Sequence, residues 1–250
     1  MPIRDIPWLP PSPQSPQDWE EWEKLILEHR ISVLYGADHG VDGLTPEAVR
    51  AREITRCDLS GEYMANTYGM IYEARGEEGY QENLVYNEED DSWLYNEEDI
   101  RSGIIPYVQY PFQIDFFDWM TERMLSRGPM GDGVVIKARD MGLSNSIVFW
   151  IAHKWLFRRP FQARLLSRNE RLVDQTGDPD SLFWKLDTYL MGLPSYIFDH
   201  GAPGFDWRQH RLMLRLMNPA NGNLVSGEST QADAGRGGRA TVNRRRFLRY

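Results

Sequence analysis

The chain has 250 residues, 41% of them hydrophobic, with 37 acidic against 28 basic side chains and a formal net charge of −9 at pH 7. That is enough apolar material for a core in one large domain or one domain with an appendage, and the acid excess argues against a surface coated for nucleic acid. The single cysteine, Cys57, excludes an internal disulfide, the start MPIRDIPWLPPSPQSP lacks the apolar centre of a signal peptide, and no apolar stretch approaches a membrane span. The expectation is a soluble protein of a reducing cytoplasm.

After the proline-rich start, PQDWEEWEKLILEHR sets Trp19, Trp22, Leu25, Ile26 and His29 at helical spacing. LTPEAVRAREI then opens a helix with Thr45 as N-cap and Pro46 at the first helical position. SGEYMANTYGMIYEA is expected to be helical too, so residues 1–100 read as a helical N-terminal arm. The arm carries a dense acidic run, NEEDDSWLYNEED (87–99), which predicts a solvated stretch. YNEED occurs at 86–90 and again at 95–99, a local duplication.

Beyond residue 100 strand and helix alternate. GVVIKA is a short β-branched run, SNSIVFWIAHKWLF a helix apolar nearly all round and stopped by Pro160, and QARLLS a second strand. Strand, buried helix and strand in this order make a βαβ unit with parallel strands and a right-handed crossover. Asp178 and Pro179 open a further helix, with Leu182, Phe183, Leu186, Tyr189, Leu190 and Leu193 as its stripe and Gly192 near its end. RLMLRLMNPANGNLVSGES reads as a hairpin turning at Asn221 and Gly222. The fold class is α/β.

Between the first run and the buried helix lies IKARDMGLSNS, residues 136–146. A phosphate-binding loop needs inward backbone N–H groups at a strand-to-helix turn, a cation for the β and γ phosphates and a hydroxyl for magnesium. Gly142, the cations Lys137 and Arg139, and Ser144 at the mouth of the helix supply these parts. The order GxxxxGK[ST] is broken, because Leu143 stands where the lysine belongs. A capped helix after a buried strand uses the same glycine and serines, so spacing alone leaves both readings open.

Residues 110–239, from YPFQIDFFDWM to GRGGR, resemble the ATPase domain of the large terminase subunit of tailed bacteriophages, the motor that pumps DNA into a procapsid. Lys137, Arg139, Gly142 and Ser144 match a deviant family loop, K-x-R-x-x-G-x-S. YPFQ matches an upstream aromatic-proline-glutamine element, with Gln113 as the reader of adenine. LLSRNERLVDQTGDPDSLFWKL and NPANGNLVSGEST…GRGGR follow in the family's order. The resemblance implies a P-loop NTPase-type parallel β-sheet flanked by helices over 101–240, with ATP and Mg2+ as cofactors. It places Lys137 and Arg139 on the phosphates, Ser144 on the magnesium, and Gly142, Leu143 and Asn145 beside the nucleotide. Arg236 and Arg239 are candidates for contact with DNA or phosphate. The implied partners are double-stranded DNA, the terminase small subunit and the portal protein, in an oligomer in the host cytoplasm with no membrane contact.

In that family GRGGR leads into an apolar strand ending in the Walker B aspartate and the catalytic glutamate, and later into a nuclease domain. Here ATVNRRRFLRY follows, and no acid comes after Asp233. The expectation is a fragment, truncated or frame-shifted before Walker B, with an incomplete sheet and an arginine-rich tail, 241–250, without structure. ATP would be bound and left unhydrolysed by this chain. Asp140 reads as a surface acid beside two cations, and Glu228 and Asp233 are too isolated for a catalytic role. Trp150 and Trp155 are expected in the core, and the five histidines show no metal-ligand spacing. A nucleic-acid-binding or regulatory protein that uses the scaffold without ATP, and a non-functional remnant, are the other readings.

Overall fold

The computed structural model describes residues 5–12, 18–72, 103–125, 133–137 and 141–229, with the backbone alone at 86–87, 92–93 and 242–245. Helix α1 (Trp19–His39) buries Trp22, Ile26, Val33 and Ala37, while Leu25 of the expected stripe faces outward. Helix α2 (Pro46–Leu59) starts as its sequence predicts: Thr45 Oγ1 accepts a hydrogen bond from Ala48 N at 3.3 Å, and Pro46, lacking an N–H, occupies a position where none is needed. Helix α3 (Gly61–Tyr68) is capped by Ser60, whose Oγ accepts from Tyr63 N at 3.0 Å. It is shorter than expected. The Arg30 guanidinium holds Gly69 O at 2.8 Å, and the chain straightens into strand β1 (Met70–Tyr72).

At 86–87 and 92–93 two-residue strands β2 (Tyr86–Asn87) and β3 (Ser92–Trp93) pair antiparallel, and the rest of the acidic run lies outside the described residues. Strand β4 (Ile104–Pro106) returns antiparallel to β1, with Tyr72 opposite Ile104. Helices α4 (Pro111–Leu125) and α5 (Leu143–Phe157) follow. Ten of the 15 residues of α5 are buried, Trp150 and Trp155 among them, which makes it the central helix of the molecule. Each large apolar side chain so buried contributes roughly 1.5–3 kcal/mol. Trp150 also donates from Nε1 to Thr121 Oγ1 at 3.0 Å, tying α5 to α4.

The sheet has the order β6-β7-β8-β5-β9. Strand β5 (Gln162–Ser167) lies between β8 (Leu224–Ser229) and β9 (Val242–Arg245), parallel to both, while β6 (Arg211–Leu212), β7 (Arg215–Met217) and β8 form an antiparallel meander. The chain is therefore a mixed α/β fold. Between β5 and the meander come α6 (Leu182–Met191), α7 (Ser195–Gly201) and the short α8 (Trp207–His210). The stripe predicted for α6 is buried in full, but the helix begins at Leu182 with Ser181 as its cap, and Gly192 ends it at φ −77°, without a left-handed turn.

Two expectations are corrected. Residues 133–137 of GVVIKA have no ladder partner among the described residues, and Ile136 is 97% exposed. Both edges of β5 are already taken by β8 and β9, so this run cannot be its parallel neighbour and the expected βαβ unit is not formed. The arginine-rich end is not wholly without structure either. Val242 pairs with Ala163 and Arg245 with Leu166, because an open edge of β5 accepts backbone hydrogen bonds whatever the side chains are.

The helices expected to form an arm do not stand apart: Trp22, Ile26, Tyr63 and Tyr68 belong to the same apolar core as Phe149, Trp155, Leu186 and Val225. A buried carboxylate helps to close that core. Glu53 receives Arg52 Nε at 3.0 Å, Arg56 NH1 at 2.9 Å and the Tyr63 hydroxyl, satisfying a charge that would otherwise be costly to bury. At the far end of α5, three asparagines of the β7–β8 turn bind its last carbonyls. Asn218 Nδ2 donates to Trp155 O at 3.2 Å, Asn221 Nδ2 to Leu156 O at 3.1 Å, and Asn223 Nδ2 to Trp155 O at 2.9 Å. These donors satisfy groups that a helix end leaves open.

His153 joins α5 to α2, with Nε2 donating to Cys57 O at 2.8 Å. Burial, with Lys154 adding to it, lowers its pKa to about 3. The unfolded chain binds this proton near pH 6.5, so the contribution is fully present above that pH and is lost progressively as pH falls toward 3. Lowering the pH from 7 to 5 should therefore cost about 2 kcal/mol of stability. Urea unfolding at the two pH values checks this, and the loss should shrink in His153→Gln.

Candidate nucleotide-binding site

The loop singled out in the sequence enters α5 through Gly142, the N-cap, at φ +63°. That left-handed conformation suits glycine and turns the carbonyl of Gly142 toward Asn145 N and Ser146 N, at 2.9 and 3.1 Å. Leu143, in the position where the standard motif has lysine, is buried, so a cation there would be desolvated without a partner. Any cation for a phosphate must come from elsewhere. Lys137 is half-exposed at the end of the extended run, while Arg139 and Asp140 lie outside the described residues.

The two serines of the first turn have different surroundings. Ser144 is half-exposed, as is Asn145 beside it. Ser146 is fully buried, with its hydroxyl 2.7 Å from that of Tyr107. Ser144 is thus placed where a ligand oxygen or metal can be met, and Ser146 belongs to the core. An anion at this end of α5 would also gain from the partial positive charge of a helix N-terminus.

Gln113 is where the structure departs furthest from a solvent-facing reader. It is 1% exposed. Its Oε1 accepts from the Tyr107 hydroxyl at 2.8 Å and from Tyr110 N at 2.9 Å, and its Nε2 donates to Met141 O at 2.9 Å. Burial pushes the Tyr107 phenol well above its usual pKa, so it stays protonated and a donor. A Cβ built on Gly142 would lie 2.5 Å from Gln113 Nε2, so the glutamine amide sits directly against the glycine. The structure brings together YPFQ and the loop, 28 residues apart in sequence. Tyr107 and Ser146, which complete this cluster, were not singled out in the sequence; buried hydroxyls carry no spacing signal.

Next to the first turn of α5 lies a shallow surface cleft lined by Met70, Ile71 and Tyr72 of β1, Asn145 of α5, and Trp184, Lys185 and Thr188 of α6. Tyr72 and Trp184 meet edge to face at 5.8 Å. Lys185 donates from Nζ to Pro179 O. The sequence pointed to only one of these residues, Asn145.

Among the other residues marked in the sequence, Glu228 is paired with Arg164 at 3.4 Å. Asp233, Arg236 and Arg239 lie outside the described residues. Among the described residues there is no group of three His, Cys, Asp or Glu side chains placed to hold a metal, and no helix long and apolar enough to cross a membrane. Comparison with protein-family models, with curated proteins and with solved structures gives no match.

Proposed function

We propose that this chain is part of a large-terminase-type ATPase domain that binds the triphosphate of ATP at the N-terminus of α5. The observation that carries the reading is the hydrogen bond from Gln113 Nε2 to Met141 O, which fastens the YPFQ element to the residue preceding Gly142. Two segments picked out separately in the sequence thereby form one cluster at a helix N-terminus. In this reading Lys137 and Arg139 neutralise the β and γ phosphates, backbone N–H groups of the Gly142 turn receive their oxygens, and Leu143 fixes the turn by filling the core behind it. The half-exposed Ser144 hydroxyl fits Mg2+ as a single protein oxygen, since this ion commonly keeps several waters and takes its remaining ligands from phosphate. Bound there, the metal would offset phosphate charge. Double-stranded DNA, a terminase small subunit and a portal protein, with an oligomeric motor in the host cytoplasm, belong to the same proposal.

Hydrolysis also needs a group that orients water and a carboxylate in the metal's shell. Of the acids marked in the sequence, Glu228 is the one described and it is engaged by Arg164, so the expectation for these residues is that they bind ATP and leave it intact. Equilibrium binding of a fluorescent ATP analogue with Mg2+ tests the first part. Lys137→Ala should weaken it about tenfold, the loss of roughly one charge-assisted contact. A phosphate-release assay with DNA present should give no steady rate. Absence of binding by well-folded protein would remove the ATPase reading in favour of a nucleotide-independent scaffold. Steady release abolished by Ser144→Ala would show that a carboxylate within these residues completes the site.

A further inference from the structure

One side of α4 carries two rows of residues next to each other. Phe112, Phe116 and Trp119 recur at helical spacing, and Asp115, Asp118 and Glu122 form a second row beside them, so the helix sets three acids against the single cation Arg123. The aromatic row continues beyond the helix. Phe112 stacks on Tyr110 with ring centres 5.7 Å apart and planes 9° from parallel, and Tyr110 stacks on Trp19, the first residue of α1, at 4.5 Å and 17°. At the other end Phe116 stacks on Trp119 at 5.7 Å and 17°. We infer that this side of α4 is a docking surface for an arginine-rich segment of a partner protein, whose guanidinium groups lie on the open ring faces of Tyr110 and Phe112 while the acid row meets their charge.

Exposure singles out the rings. Tyr110 is 46% and Phe112 39% exposed, and neighbouring aromatic groups left open in this way mark an interaction surface, unlike apolar residues scattered singly. Near-parallel rings 5.7 Å apart are offset from one another, so part of each face stays uncovered and offers a flat surface to a planar cation. The platform is held in place from behind: Tyr110 N donates to Gln113 Oε1 at 2.9 Å, and Tyr110 O accepts from Gln113 N at 2.8 Å. Charge then selects the partner. Asp115 and Glu122 are exposed, and an acid row beside the rings attracts guanidinium groups while it repels the phosphates of a single strand whose bases could stack there. The molecule makes one such contact itself, with the Arg123 guanidinium 5.4 Å from the centre of the Trp119 ring. Arginine fits better than lysine, because its planar group can stack on a ring and still turn its N–H edge to a carboxylate.

Fluorescence anisotropy of labelled ligands with the full chain, in the absence of nucleotide, tests this. A peptide of alternating arginine and glycine should bind more tightly than its lysine counterpart, and oligothymidylate should not bind. Phe112→Leu and Tyr110→Leu, which keep apolar bulk and remove the ring, should each weaken the arginine peptide about threefold, and together about tenfold. Asp115→Asn should weaken it about twofold and make binding less sensitive to salt. Circular dichroism and the urea midpoint of each variant separate a lost contact from a lost fold. Arginine binding that is absent, no tighter than lysine binding, or unchanged in the folded double variant would overturn the proposal. Oligothymidylate bound in preference to both peptides, and lost with the same two rings, would overturn it in favour of a platform for single-stranded nucleic acid.

Discussion

Asn223→Ala is expected to destabilise the protein by about 3 kcal/mol, which moves a urea midpoint by roughly 1 M or more. The side chain is 1% exposed and works in both directions. Its Oδ1 accepts from Phe161 N at 2.9 Å, and its Nδ2 donates to the carbonyls of Lys154, Trp155 and Arg158 at the end of α5. Trp155 O retains Asn218 and Asn221 as donors after the change, but Phe161 N, on a fully buried residue, loses its side-chain acceptor. An unmet buried donor costs about 1–3 kcal/mol, and the vacated space adds to it. Asn223→Asp should be worse, since it sets a carboxylate against backbone carbonyls. Asn221→Ala, at a half-exposed position, should cost clearly less, and an equal loss at both sites would contradict the account.

The second large effect is expected at Gly142. An alanine there must hold φ at +63°, which costs an L-residue about 1–2 kcal/mol, and its Cβ would sit 2.5 Å from Gln113 Nε2. The glutamine cannot simply swing away, because Tyr107 and Tyr110 hold its other end. Gly142→Ala should therefore lower stability by about 2–3 kcal/mol and also release the Gln113–Met141 bond. The two consequences are separable: unfolding measures the first, and ATP-analogue affinity, read well below the unfolding temperature, measures the second. Gln113→Ala in the same background relieves the contact and should restore part of the stability but not the affinity.

The local signals in the sequence proved most informative where a single residue carries the physics. Thr45 and Pro46 define the start of α2, the Leu182–Leu193 stripe is buried as its spacing requires, and Gly222 turns the hairpin at φ +74°. Pairing was harder to read. The β-branched Val134, Val135 and Ile136 look like a core strand, but whether such a run is buried depends on a free strand edge, and periodicity carries no information about edges. The tail misled in the opposite sense, because backbone pairing at β9 does not require apolar side chains. At the site, Gly142 and Gln113 were visible as residue types, but that they touch, and that Gln113 faces inward, follows from the packing of α4 on α5. The cleft gave no signal, since Tyr72 and Trp184 come from elements far apart in the chain.

The place of α5 has a consequence for how the molecule is made. Its partners lie on both sides of it in sequence: Cys57 receives a bond from His153 across 96 residues, and Trp155 O receives one from Asn218 across 63. As the chain emerges from the ribosome, α1 to α3 appear with one apolar face uncovered, and α5 does not reach them until roughly eighty residues later. The last carbonyls of α5 then wait again for the asparagine turn. Loop-closure entropy must be met before such distant contacts give any return, so folding should be slow compared with the formation of the individual helices. Until Phe198, Phe205 and the asparagine turn are out, the intermediates display the face of Trp155 that the finished protein hides, and it is during synthesis, more than in the native state, that this chain is exposed to aggregation.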